Sequence, residues 1–190
     1  MAESLKKEEE FNNLTKRMKN KILILTMGIF SIFWNCKDVK KEEFKVSYPV
    51  EKLGVIKAQY SDGSIAIGAF NRGYKNYNEK FNYPWSLKID IELNPKNCSA
   101  NGLPLEDESK LTNQFEDELV KNMSKISPVH NVGHLFNSNH LNIYLYVRDK
   151  AKINEWLQTE IKKENLIRSF TYEIVEDKKW ETTESFMNGK

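Results

Sequence analysis

The stretch SLKIDIEL, Ser86–Leu93, constrains the fold more than any other. Successive side chains of an extended strand point to opposite faces. Leu87, Ile89, Ile91 and Leu93 therefore share one face, and Lys88, Asp90 and Glu92 share the other. Such a strand belongs to a sheet packed on one side and wet on the other, as antiparallel sheets allow.

The neighbouring segments extend the pattern. NPKNCSANGLP, with two prolines and a glycine, ends the strand. Leu111, Phe115, Leu119 and Met123 then recur every four residues, with Val120 and Ile126 widening the stripe, which predicts a helix. Glu106, Asp107 and Glu108 at its start, and Lys121 and Lys125 near its end, suit the helix dipole, and Pro128 stops it. VHNVGHLF and HLNIYLYV, on either side of Asn137-Ser138-Asn139, read as a hairpin. Asp149 is placed to cap a second helix with the stripe Ile153, Trp156, Leu157 and Ile161, and SFTYEIV is a final strand. Upstream, VIKAQYSDGSIAIGAF carries two β-prone runs around Asp62-Gly63, a strong hairpin signal, followed by the loop NRGYKNYNEKFNYP. From Pro84 the order is strand, helix, strand, strand, helix, strand, which is the split βαβ arrangement. The expected class is α+β: a ferredoxin-like βαββαβ sandwich, an antiparallel sheet with two helices on one face, plus an extra N-terminal hairpin at one edge.

A second feature concerns address rather than fold. Ile22–Trp34 is a run of thirteen nearly uninterrupted apolar residues, preceded by Lys16, Arg17, Lys19 and Lys21. A spanning helix needs roughly 20 apolar residues, and a helix apolar on every side needs a large protein around it. A basic segment, a short apolar core and then a small closing segment match an export signal. Cys36 follows directly, and IFWNC resembles the lipobox of bacterial lipoproteins, with Phe33 and Asn35 where leucine and a small residue are common. Met18 opens a better signal than the acidic MAESLKKEEEFNNLTKR. The expected division is an upstream extension at 1–17 with translation starting at Met18, a signal peptide at 18–35, and a lipid-anchored tether at 36–53. A single domain at 54–180 and a polar tail at 181–190 complete it. The expected location is the cell envelope, lipid-anchored to a bacterial membrane, with a secreted or periplasmic protein as the alternative.

The charge belongs mostly to that leader. Of 29 basic and 27 acidic residues, six and four fall within residues 1–35, leaving 23 of each. A neutral domain lacks the clustered Lys and Arg that supply most affinity for nucleic acid, so no nucleic-acid partner is expected. Cys98 is the one thiol beside Cys36, which precludes a disulfide framework and reads as a free buried cysteine.

Several of these residues together resemble a bacterial family, domain of unknown function 695. They are the Pro84-Trp85 pair before the strand, NGLP at Asn101–Pro104, the helix EDESKLTNQFEDEL, VGH at Val132–His134, the YLYV strand and the late EDKKW. The family usually has Asp-Pro-x-Trp at that last place, so Lys178 departs from it. The resemblance covers roughly Val55 to Trp180. It implies an architecture similar to a ribonuclease-inhibiting regulator that sometimes shares chains with the family, and it implies no catalytic residue.

Candidate sites are few. His130, His134 and His140 lie close in sequence, but a metal centre needs ligands converging from one side. A hairpin turning on Asn137-Ser138, with Phe136 opposite Asn139, is favoured because it puts Val132 and Phe136 on the face of Leu141 and Ile143. It also sends His134 and His140 to opposite faces. Glu106–Glu108 with Glu116, Asp117 and Glu118 read as a solvated helix surface. No serine-nucleophile, P-loop or dinucleotide motif occurs. No catalytic residue and no cofactor is therefore nominated. The uncovered sheet face, with Tyr144 and Tyr146 beside Lys88, is the candidate surface for a protein partner. The sequence points to an exported, lipid-anchored, non-catalytic binding or accessory protein. One alternative is an envelope metal-dependent hydrolase using the histidine hairpin. The other, if the leader is no export signal, is a cytosolic regulator similar to the ribonuclease-inhibitor relatives.

Overall fold

The alternation at Ser86–Leu93 becomes a central strand of an antiparallel sheet. The computed structural model describes residues 46–188, so the leader, Met18 and Cys36 lie outside the described residues. Six strands run through this part: β1 (Leu53–Gln59), β2 (Ile65–Asn71), β3 (Trp85–Glu92), β4 (Val129–Asn137), β5 (His140–Val147) and β6 (Phe170–Glu176). Helix α1 spans Glu106–Ser124, α2 spans Lys150–Glu160, and a short α3 spans Glu184–Asn188. The strands form one open sheet in the order β1-β2-β4-β5-β3-β6, and every neighbouring pair is antiparallel. The chain is thus an α+β protein, and the Asp62-Gly63 hairpin does extend one edge.

One face carries the expected core. Leu87, Ile89, Ile91, Leu141, Ile143 and Leu145 pack with Phe115, Leu119 and Met123 of α1 and Ile153 and Leu157 of α2. Asp149 caps α2 by accepting from the Lys152 N–H at 3.1 Å. Among the described residues no helix is long and apolar enough to cross a membrane.

The β4–β5 hairpin differs from its expected register. Its two-residue loop is Ser138-Asn139, both at positive φ (46° and 64°), so Asn137 faces His140 and Phe136 faces Leu141. Two consecutive left-handed residues give the loop the twist of its strands, and Phe136 still meets Leu141 on the helix side. A bulge adds a second change. The pairing slips between Asn131 and Gly133, so Val132 is an extra residue and the side-chain alternation inverts across it. Val132 consequently joins the opposite face rather than that of Leu141 and Ile143. Gly133 sits there at φ 154°, and a Cβ on it would run into the Ala69 carbonyl and lie 2.7 Å from Phe70 Cα. Only a residue without a side chain fits.

The largest correction concerns the face expected to be open. Its upper half holds a second core of Phe70, Val132, Leu135 and Tyr146, covered by Tyr74, Tyr77, Tyr83, Trp180 and Met187. Residues from both flanks supply part of the cover. Ser47, expected in the tether, accepts from Tyr77 Oη at 2.9 Å, and Thr183 and Met187, expected in the polar tail, are buried. Both segments flank the same sheet face, so covering its aromatic half recruits them.

Two of the helix carboxylates are likewise not solvated. Glu108 is 1% exposed and Glu116 is 4% exposed. They lie one turn apart from Thr112 along α1, beside the apolar stripe, and each has found a partner on another element.

Candidate functional site

The second core is built around His130. Strand β4 directs the imidazole inward beside Tyr146, and the rings of Tyr48, Tyr74, Tyr77, Tyr83 and Trp180 surround it with centroids 4.0–5.9 Å away. Tyr74 Oη lies 3.1 Å from Nδ1 and Tyr77 Oη lies 3.3 Å from Nε2. Tyr77 spends its own proton on the Ser47 carbonyl. Nε2–H therefore donates to Tyr77 and Nδ1 accepts from Tyr74, which assigns the neutral tautomer. Burial, aided by the charge of Arg148, pushes the imidazole down to about 4. A neutral, enclosed histidine with both nitrogens occupied holds a core together and has no reach to solvent.

Tyr146 is also fully buried, which removes it from the expected binding surface. Its ring stacks on Trp180, and its hydroxyl donates to Asp177 Oδ2 at 2.7 Å. Asp177 also accepts from the Glu181 and Thr182 N–H groups, both at 2.9 Å. Burial alone would raise this carboxyl, but the hydrogen bonds from Tyr146, Thr182 and Glu181 outweigh it and hold it below its ordinary value. Trp180 stands at φ 63° and its Nε1–H donates to the Tyr83 and Lys80 carbonyls at 3.1 and 3.2 Å.

His134 lies on the other face. The bulge sends it to α1, where Nδ1 is 2.6 Å from Glu116 Oε2, and Asn131 Nδ2 donates to Oε1 at 2.8 Å. Burial by itself would lower this imidazole, but the hydrogen bond and charge of Glu116 prevail and raise it. His140 returns to the aromatic side of the sheet but at its far end, with Nδ1 2.6 Å from Asp90 Oδ1. His130 pairs with Tyr146 and His140 with Asn137, six positions apart along β5, or roughly 20 Å at the rise of a strand. The three histidines therefore do not meet. Among the described residues no group of three potential metal ligands comes together.

The lower half of the aromatic side keeps its polar character. Lys88, Asp90 and His140 are half-buried there, Glu92 is exposed, and Tyr144 marks the border by packing on Phe70 and Phe186. The candidate surface is thus divided: Lys88 remains on an accessible strip, Tyr144 is half-covered and Tyr146 is lost to the core.

A second buried ion pair lies outside this face. Arg168 makes a two-pronged contact with Glu108, Nε to Oε1 at 2.8 Å and Nη2 to Oε2 at 2.6 Å. Asn94 N–H and Asn97 Nδ2 complete the carboxylate's shell at 2.9 and 3.0 Å. The Arg168 hydrogen bond is the main reason that Glu108 is held down to about 2. Cys98 is a free, half-buried thiol among the described residues, raised by burial.

Sequence reasoning named the histidines but not their partners. Tyr74, Tyr77 and Tyr83 were visible as a tyrosine-rich loop, whereas nothing local linked them to Trp180 or to His130.

Several of the motifs that carry the family resemblance fall at joints of this architecture. The Pro84 carbonyl accepts from Asp177 N–H at 2.7 Å, and the Gly102 carbonyl accepts from Asn139 N–H at 2.9 Å. Gly133 permits the bulge, and Asp177 and Trp180 close the second core. Lys178 is exposed, so departing from proline there disturbs no packing. No curated protein and no solved structure matches the chain. A family model, described as a family of unknown function (DUF695), matches residues 58–187, most of the chain and nearly all of the folded part. The chain belongs to this family.

Proposed function

We propose that this protein is an exported, lipid-anchored module that binds a partner and performs no catalysis of its own. The observation that carries this reading is the dispersal of its three histidines: one is walled in by tyrosines, one is bound to Glu116 across the sheet, and one is paired with Asp90 at the far end. Acid–base and metal chemistry need such groups to converge on a reacting atom. The hydrolase alternative required that convergence, and each histidine is instead engaged separately. The partner surface is the polar strip of Lys88, Asp90 and His140, bordered by Tyr144, where charge and an aromatic edge remain accessible together. The strand order β4-β5-β3-β6, with α1 and α2 sharing one core, supports a ferredoxin-like frame to which the β1–β2 hairpin is added beside β4.

Anchoring rests on Cys36 behind the apolar run. Cells fed labelled palmitate should label the wild-type chain and not Cys36→Ala, and equal labelling of both would end the anchoring proposal. Binding is tested by capture from solubilised membranes. Lys88→Glu should lose the captured partner, and full retention would discard the polar strip. Purified protein carrying a full equivalent of zinc would favour the hydrolase instead.

A further inference from the structure

We propose that the outer edge of β1 pairs antiparallel with β1 of a second copy, on a two-fold axis passing through Gly54. Among the described residues β1 has one neighbour, β2. Its backbone polarity follows from its two ends. Lys52 N–H donates to Asn71 Oδ1 and the Lys52 carbonyl accepts from Arg72 N–H, while Tyr60 N–H donates to the Ser64 carbonyl. Because an antiparallel ladder alternates, the even-numbered residues turn their backbone groups toward β2. Glu51, Leu53, Val55 and Lys57 turn theirs outward, a row of donors and acceptors that have no partner among the described residues and are of the kind that recruits another strand.

The side chains at this edge suit a copy of themselves. Leu53 and Val55 are 68% and 75% exposed, on the same face as α1 and α2 but at the edge of the sheet, outside the core those helices cover. Glu51 and Lys57 are exposed, and neither has an ion-pair partner among the described residues. Folding β1 onto itself about Gly54 sets Glu51 opposite Lys57 and Leu53 opposite Val55, twice each by symmetry. Moving the axis to Val55 would set Leu53 against Lys57 and leave Glu51 facing Gln59. Pro49, which has no N–H, ends the ladder just beyond Glu51. Lys57 discourages indiscriminate strand addition, and in this register alone it meets a carboxylate. The other sheet edge, β6, carries Glu173 and Glu176 with no lysine or arginine, so pairing it with itself would bring carboxylates together.

Sedimentation equilibrium on the full chain in a mild non-ionic detergent tests the register. The wild type should dimerise. Glu51→Lys and Lys57→Glu should each raise the dimer Kd roughly tenfold, since like charges then face each other twice. The combined Glu51→Lys, Lys57→Glu variant should return to within about threefold of wild type. Val55→Pro removes only an outward N–H and should abolish the dimer while leaving circular dichroism unchanged. A wild type that stays monomeric overturns the proposal. So does a dimer indifferent to single charge reversal, or one that the double reversal fails to restore.

Discussion

The indole of Trp180 lies flat on the phenol ring of Tyr146, with centroids 3.8 Å apart and planes 3° from parallel. This stack closes the aromatic half of the sheet. It joins the C-terminal turn to β5, while Trp180 Nε1–H ties the same turn to the carbonyls of Lys80 and Tyr83. Trp180→Ala should therefore destabilise the fold by about 4 kcal/mol, the usual cost of emptying a buried aromatic site. Trp180→Phe should cost about 2 kcal/mol, because it keeps most of the ring volume but removes the indole donor from the Tyr83 carbonyl, while the Lys80 carbonyl keeps the Tyr83 N–H. Urea denaturation measures both. A Trp180→Ala cost under about 1 kcal/mol would mean that the second core contributes little.

His130 makes stability depend on pH. The folded chain binds the imidazole proton more weakly than the unfolded chain, because the group sits near 4 rather than at its ordinary 6.5. Its contribution is complete above about pH 6.5 and is lost as pH falls toward 4, about 3 kcal/mol at full extent. His134 has the opposite sign: its imidazole is raised, so its contribution is fully present below 6.5. Glu108, held near 2, loses its contribution only below about 4.5. The interval from 6.5 to 4.5 therefore isolates His130. Wild-type stability should decline across it, and His130→Gln, though less stable overall, should run nearly flat.

Gly133→Ala tests the bulge. The added methyl would enter a backbone conformation that L-residues rarely adopt and would collide with the Ala69 carbonyl and Phe70. A loss of about 3 kcal/mol is expected. Thermal melts should show it, and an unshifted midpoint would mean that β2 and β4 do not approach as described.

Glu108→Ala leaves the Arg168 guanidinium, 20% exposed at its side chain, without its carboxylate. Breaking such a pair costs about 3 kcal/mol. The joint replacement Glu108→Leu, Arg168→Met should cost less than Glu108→Ala alone, because no uncompensated charge remains. Chemical denaturation of the three proteins decides it, and a joint replacement that costs as much as Glu108→Ala or more would contradict the pairing.

The anchor is checked by mass. If Cys36 carries lipid, the mature chain should begin at that residue and weigh more than its polypeptide. A Cys36→Ala variant should lose that mass increment and leave the membrane fraction.

Much of the frame was legible because burial repeats locally. The side chains of β3 alternate with period two and α1 returns an apolar residue each turn, so each element's inward face is written along its own few residues. Asp149 as a cap and Asp62-Gly63 as a hairpin signal are local for the same reason. The aromatic face was not legible. Tyr144 and Tyr146 alternate with apolar residues whether water or another ring lies above them, since tyrosine suits both settings. The residue that covers Tyr146 comes from Trp180, whose indole bonds the Tyr83 carbonyl across 97 positions.

The acidic helix face misled in the same way. Glu108 and Glu116 are indistinguishable by type from the exposed Asp107 and Glu118, and only Arg168, 60 residues away, and His134, across the sheet, single them out. His134 was separated from His130 by one extra residue, Val132, which inverts the alternation without leaving a local trace, and His140 by its place at the other end of β5. By itself the sequence determined the strands, the two long helices and their order, because these follow from periodicities of a few residues, whereas the short α3 lay in the expected polar tail. Tertiary structure alone decided which polar groups are buried and which face stays open, because burial depends on partners that distant segments supply.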